Sequence, residues 1–230
     1  MYDQIIETLK ELELSKPNGV IISDSGLLIL IKKHFPGAAA AAGTGCPVFN
    51  RKSLMFYKNL GADRVTLSIA LTTGEIESLA DEAARIGIEL VCFIKNENCI
   101  NTNAQCTYLH GMFDDALNRT FCKIEKEYGV RDCGGKKQAR AGKRLSSIHE
   151  DFSDGCGACF LPRFIEAGIT KFKIDGRGRS ASEKIKDLLF IKKAVLCAEG
   201  GRSADAVEKR IRFLYNKIYG NTCSKKCIYS

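Results

Sequence analysis

The sequence predicts an α/β fold built on parallel strands, and three observations carry that expectation. Short, wholly apolar runs recur along the first half of the chain, amphipathic helical segments separate them, and capping or breaking residues bound each helix. Parallel neighbours need a helix-length crossover to bring the chain back to the same edge, so buried-type strands alternating with helices imply parallel pairing. At 230 residues and 45% apolar content, the chain has the size and composition of one ordinary globular domain.

The elements follow in order. Asp3 to Leu14 sets Ile5, Ile6, Leu9 and Leu12 on one helical face, and Pro17-Asn18-Gly19 breaks the pattern. Val20 to Ile22 reads as a strand, and Leu27 to His34 as a helix stopped by Pro36-Gly37. Ala38 to Gly43 carries a weaker strand signal, after which Asn50 is placed to cap a helix over Arg51 to Leu60. Arg64 to Ile69 is a clearer strand. Thr72 and Glu75 have capping-box spacing ahead of a helix burying Ile76, Leu79, Ala83 and Ile86, and Ile88 to Ile94 is the fourth strand. Lys95 to Cys159 then turns rich in Cys, Asn, Gly and charge, with a basic loop over Gly134 to Arg144. Regular elements resume with a helix over Phe160 to Ala167, a strand over Thr170 to Ile174, and helices over Glu183 to Leu196 and Ala204 to Ile218. Five strands are too few for an eight-stranded barrel, which takes about 250 residues, so the sheet is either open or an incomplete barrel.

Charge is uneven. Met1 to Cys122 holds 11 basic and 14 acidic residues, a net of −3, whereas Lys123 to Ser230 holds 24 and 13, a net of +11. Such asymmetry fits a polyanionic partner, nucleic acid being the commonest, and equally a solvated basic surface. No apolar run reaches the roughly 18 residues of a membrane span, and the charged amphipathic opening does not resemble a secretion signal. The expected location is the cytoplasm, with no membrane partner. Thiols there stay reduced, so 11 cysteines point to metal or redox chemistry more than to disulfides.

Ten of those 11 cysteines lie beyond residue 90. The spacing is Cys99-x6-Cys106, then Cys122, then Cys156-x2-Cys159, then Cys223-x3-Cys227, and the cluster opens where the fourth strand ends. Loops converge at that end of an α/β sheet, so thiolates gathered there would suit either a tetrahedral zinc or a cubane iron-sulfur cluster. Cys92 sits within an apolar strand as a small core residue, while Cys46, Cys133 and Cys197 have no partner spacing.

Asp175 to Ser180 is a glycine-rich basic turn after a strand. Arg177, Arg179 and Ser180 at a helix start could hold phosphate or carboxylate, although such glycines can equally serve only the backbone. The chain has three histidines, His34, His110 and His149, and neither a zinc-protease helix motif, a nucleophile elbow nor a P-loop. No catalytic residue of a conventional hydrolase stands out.

Several segments together carry a family resemblance: Ser23-Asp24-Ser25-Gly26-Leu27-Leu28, Gly43-Thr44 through Asn50, Gly61-Ala62-Asp63-Arg64-Val65, and Cys99-x6-Cys106 with Asn118-Arg119-Thr120-Phe121-Cys122. Leu161 to Gly168 followed by Lys173 to Arg177 completes the pattern, and over about Tyr2 to Lys193 the chain resembles the collagenase-like peptidase family U32. The resemblance implies an incomplete or modified TIM-like β/α barrel over 1–218, with a Cys-rich insertion at 95–159 and a Cys-containing tail at 219–230. It also implies a 4Fe-4S cluster on Cys99, Cys106, Cys122 and Cys156, with zinc as the alternative and Cys159, Cys223 and Cys227 as additional metal candidates. Relatives support oxygen-independent hydroxylation of a tRNA uridine, an rRNA cytidine or a ubiquinone-precursor ring, with prephenate as oxygen source for some.

The chain departs from the family pattern at two places. The family's Arg-Glu pair falls at Ile69-Ala70, and its His-Gly-Ala falls at Lys95-Asn96-Glu97. The family's earlier strand-helix units have no counterpart before Met1, so a fragment is expected whose barrel a partner chain or oligomer completes. Three functions follow: an iron-sulfur hydroxylation protein acting on RNA or an anionic small molecule, a peptidase with an unidentified nucleophile, or a non-catalytic remnant binding metal or RNA.

Overall fold

A computed structural model describes residues 2–14, 17–96, 155–176, 180–200, 203–223, 225 and 227–229. They form two compact units, one of Met1–Cys92 with Arg163–Phe172, the other of Phe93–Pro162 with Lys173–Ser230.

The first unit alternates helix and strand as expected: α1 (Tyr2–Leu14), β1 (Val20–Ile22), α2 (Ser25–His34), β2 (Ala40–Ala42), α3 (Arg51–Asn59), β3 (Arg64–Thr66), α4 (Thr73–Ile86) and the start of β4 (Glu89–Asn96). All pairings here are parallel. Val20 stands opposite Ala40, Ala41 opposite Arg64, and Arg64 opposite Glu89, so each strand adds beside its predecessor.

Local signals set the helix starts. Asn50 Oδ1 accepts from Ser53 N–H at 2.9 Å, and Thr72 Oγ1 accepts from Glu75 N–H at 3.3 Å while Glu75 accepts from Thr72 N–H at 2.8 Å. Asp24 caps α2 in the same manner, accepting from Leu27 N–H at 2.7 Å. The helices bury Leu28 and Ile31, Leu54, and Ile76 and Leu79 around Ile22, Ala42, Val65 and Leu90.

Beyond the ends of β1 and β2 the backbone closes tightly. Gly43 N–H donates to Ile22 O at 2.7 Å, and a Cβ on Gly45 would lie 2.6 Å from both the Cβ and the carbonyl oxygen of Ser23. Only glycine permits that approach. Cys46 is buried just beyond, its thiol donating to Ile22 O at 3.6 Å.

In the second unit the pairing changes. β5 (Gly155–Cys156) runs antiparallel to β4, Lys95 opposite Cys156 and Asn96 opposite Gly155. Two residues without alternation give no strand signal, and β5 was not expected. β6 (Lys171–Ile174) also pairs with β4, and Asp175 N–H donates to Lys95 O at 2.9 Å. A 3₁₀ turn (Ala158–Phe160) leads into α5 (Leu161–Glu166). The long helices α6 (Ala181–Gly200) and α7 (Ala204–Tyr219) pack through Phe190, Ile191 and Ala194 against Val207, Ile211 and Tyr215. Phe190 meets the Tyr215 and Tyr219 rings edge-on, with centroids 5.5 Å away in each case. The fold is thus mixed α/β with a parallel β1 to β4 run and an antiparallel β5.

Candidate functional site

Four of the five described cysteines of the second unit, Cys156, Cys159, Cys223 and Cys227, lie at β5 and the tail, whereas Cys197 lies in α6. Cys156 ends β5, Cys159 lies in the 3₁₀ turn, and Cys227 forms a parallel bridge with Cys156. Ile228 N–H secures that bridge by donating to Cys156 O at 3.2 Å. Cys223, just past α7, is held by its N–H donating to Asn216 Oδ1 at 2.9 Å. The bridge from Cys156 to Cys227 thus brings the Cys156-x2-Cys159 and Cys223-x3-Cys227 segments together.

Electrostatics link the thiols. Burial pushes Cys156 up to about 11, while the Ala158 N–H donating to its sulfur and the Lys95 charge pull the other way and the Cys159 and Cys223 thiols add to the rise. Cys159 donates to Cys227, which together with burial holds Cys159 well above the usual thiol range. The same hydrogen bond, received by Cys227, lowers the Cys227 thiol. Arg212 in turn donates to Cys159, and its Nε is buried with no hydrogen-bond partner among the described residues.

Beside the thiols lies a buried polar group. Lys95 is wholly buried, its ammonium 5.5 Å from the Tyr215 ring centroid and 5.1 Å from that of Tyr219. Tyr219 donates its hydroxyl to the wholly buried Asp187 at 2.5 Å. Burial first, and then the Asp187 carboxylate, raise the Tyr219 phenol far above its ordinary value.

Sequence reasoning passed over this group, though two signals were present. Lys95 falls in phase with the inward Phe93 at the end of an apolar strand, and Asp187 shares a helical face with Ile191 and Ala194. A charge on an apolar face marks a buried polar partner.

The sequence candidates divide accordingly. Cys156, Cys159, Cys223 and Cys227 are neighbours, whereas Cys99, Cys106, Cys122, Arg177 and Arg179 lie outside the described residues, as do His110 and His149. Ser180 caps α6: its Oγ donates to Glu183 Oε2 at 2.7 Å and accepts from Glu183 N–H at 3.3 Å. The Glu183 carboxylate therefore already sits at that helix start. Cys92 is the core residue expected, its thiol raised to about 12 by burial.

Among the described residues no three His, Cys, Asp or Glu side chains already stand together as metal ligands do. The donor chemistry at Cys156 nevertheless suits an iron-sulfur sulfur ligand, being a soft thiol with an N–H directed at it. Nor, among the described residues, is any helix long and apolar enough to cross a membrane.

Comparison with known proteins adds the following. The family model for peptidase family U32 matches residues 1–228. The tRNA hydroxylation protein P1 of Bacillus subtilis (strain 168) is 25% identical over 181 residues, covering 77% of this chain and 42% of that protein. The 23S rRNA 5-hydroxycytidine C2501 synthase of Escherichia coli (strain K12) is 25% identical over 177 residues, covering 76% of this chain and 24% of that protein. The chain thus spans less than half the length of these relatives. Among solved structures, the U32 peptidase Mk0906 aligns with a TM-score of 0.37 at 18% identity, over 42% of this chain and 39% of that one.

Proposed function

Because the chain belongs to peptidase family U32, we propose that it takes part in hydroxylating an RNA base in the cytoplasm. The observation that carries this reading is the match, over three quarters of the chain, to proteins named for tRNA hydroxylation and for rRNA 5-hydroxycytidine synthesis. The net charge of +11 on Lys123 to Ser230 supports an RNA partner, since Lys and Arg gain affinity by displacing counterions from phosphates. Arg177 and Arg179 are the anion contacts in this reading.

A 4Fe-4S cluster on Cys99, Cys106, Cys122 and Cys156 is part of the proposal, and when bound it would supply one-electron chemistry. This chain's own contribution at Cys156 is to fix the sulfur, through β5 pairing and the Ala158 N–H, and to set the buried Lys95 charge beside it.

The architecture in this reading is an arc of a β/α barrel. Strands added in the order β1, β2, β3, β4 follow barrel winding, whereas doubly wound sheets reverse at a switch point. β1 pairs only with β2 among the described strands and leaves Ile21 exposed, so a second chain is expected to associate along that edge.

The test compares nucleosides from tRNA and rRNA of cells with and without the gene. Loss of one hydroxylated nucleoside on deletion, restored by the intact gene, is the expected result. Unchanged RNA, together with proteolysis by iron-free protein, would overturn the reading in favour of a peptidase.

A further inference from the structure

We infer that Lys95 is a positioning residue for the iron-sulfur cluster: a fixed, buried cation facing the Cys156 ligand that raises the cluster's reduction potential. The inference rests on the cluster reading of the proposed function and on contacts within the second unit alone.

Strand pairing puts the two side chains together. Lys95 and Cys156 stand directly opposite each other in the antiparallel pair of β4 and β5. Gly157 N–H donates to Ile94 O at 2.9 Å, one step along the ladder, while Lys95 O accepts from Asp175 N–H on the β6 side and Cys156 O accepts from Ile228 N–H in the tail. Lys95 and Cys156 are therefore a non-hydrogen-bonded pair, the closer of the two antiparallel kinds. Their side chains leave the sheet on one face, and the Cβ atoms of such pairs stand about 4.5–5.5 Å apart.

The ammonium is held on that face. It lies 5.5 Å from the Tyr215 ring centroid and 5.1 Å from that of Tyr219, the two centroids being 4.5 Å apart, and Lys95 is 0% exposed. A cation over aromatic faces gains most when water is excluded. Tyr219 is itself fixed, its hydroxyl donating to Asp187 on α6 at 2.5 Å. Lysine ordinarily uses its flexible stem to carry the charge to solvent, and here two rings of α7 keep it inside.

Packing alone does not call for a charge at this position. Phe93, two residues earlier on the same strand, fills its buried place as an apolar side chain, and an apolar residue at 95 would avoid desolvating an ammonium. What the cation supplies is electrostatic. A 4Fe-4S centre on four thiolates is doubly negative and becomes triply negative on accepting one electron, and the potentials of such centres follow net charge, hydrogen bonding and solvent exposure. A positive charge fixed across the strand pair favours the added electron, and burial strengthens the effect.

The test is a dithionite titration of the anaerobically reconstituted full chain, followed by electron paramagnetic resonance. Dithionite gives one electron to each cluster, and no bond is made or broken. Lys95→Met is expected to shift this one-electron equilibrium about tenfold toward the oxidised form, a potential lower by about 59 mV. Lys95→Arg should restore most of that shift. Asp187→Asn, which takes a negative charge from the same group, should move the potential the opposite way. A purely structural role predicts no such reversal of sign. Equal potentials in the parent and Lys95→Met, or one common direction for Lys95→Met and Asp187→Asn, would sink the inference and leave the cluster in place. Should Lys95→Met fail to hold its cluster, an unmoved potential in Asp187→Asn has the same force. A parent chain that binds neither iron nor sulfide removes the cluster reading and this inference together.

Discussion

Cys156 and Cys227 are bridge partners, and the Ile228 N–H next to Cys227 donates to the Cys156 carbonyl at 3.2 Å. The tail is therefore part of the second unit's packing, with Ile228 and Tyr229 buried and the Tyr229 hydroxyl accepting from Phe93 N–H at 2.9 Å.

The polar group beside those thiols should be costly to disturb. Tyr219→Phe removes the donor to a wholly buried carboxylate. Hydrogen bonds to charged groups are worth about 1.5–3 kcal/mol, and a loss in that range is expected in urea denaturation. A variant as stable as the parent would show that Asp187 does not need the phenol.

At the strand ends of the first unit, Gly45→Ala should force apart two segments that now touch. Forcing extra atoms into a close contact typically costs about 1–3 kcal/mol, and thermal unfolding should report it. Adding Ser23→Gly should recover only part of the loss, because the Ser23 carbonyl oxygen is as close to the new Cβ as the side chain is.

Arg163 grips Glu77 with two nearly parallel bonds of 2.7 and 2.8 Å and reaches Thr73 Oγ1 at 3.0 Å. Two-pronged geometry raises the value of an ion pair, but both groups meet solvent, which screens it. A double-mutant cycle with Arg163→Ala and Glu77→Ala is expected to give a coupling of about 0.5–1 kcal/mol.

Asp63 supplies a pH dependence. Burial pushes its carboxyl up, yet the donating Lys32 ammonium and the Ala40 N–H outweigh that and hold it below the usual value. A folded-state pKa that is depressed contributes stability above the unfolded value of about 3.9, and that contribution disappears as pH falls through the folded value. Asp63→Asn should therefore flatten the acid limb of the stability curve and leave the neutral region with a constant deficit. Parallel curves for both proteins across the acid range would contradict this.

Thiol alkylation should separate the cysteines by burial. Cys46 and Cys92 are enclosed, with burial the leading cause of raised thiols at both. Mass spectrometry of native protein treated with iodoacetamide should find them unmodified until denaturant is added.

Much of the first unit could be read directly from the residues. Asn50 and the Thr72 and Glu75 pair announce their helices because a capping bond spans only three residues, and Val20 to Ile22 announces a strand because its neighbours are turn formers. β5 could not be read, since Gly155 and Cys156 are extended only because Asn96 and Lys95 pair with them. The strand of Ala38 to Gly43 shortened to Ala40–Ala42 for a related reason: alanine has no preference strong enough to extend pairing beyond what β1 offers.

The sequence alone settled the α/β class, the placement of the helices and the abundance of thiols, all of which follow from short-range periodicity and composition. Tertiary structure decided which of those thiols are neighbours, that Lys95 and Asp187 lie buried, and that Glu183 occupies the helix start at Ser180. Such facts depend on contacts between residues far apart along the chain, which packing selects and local residue patterns do not encode.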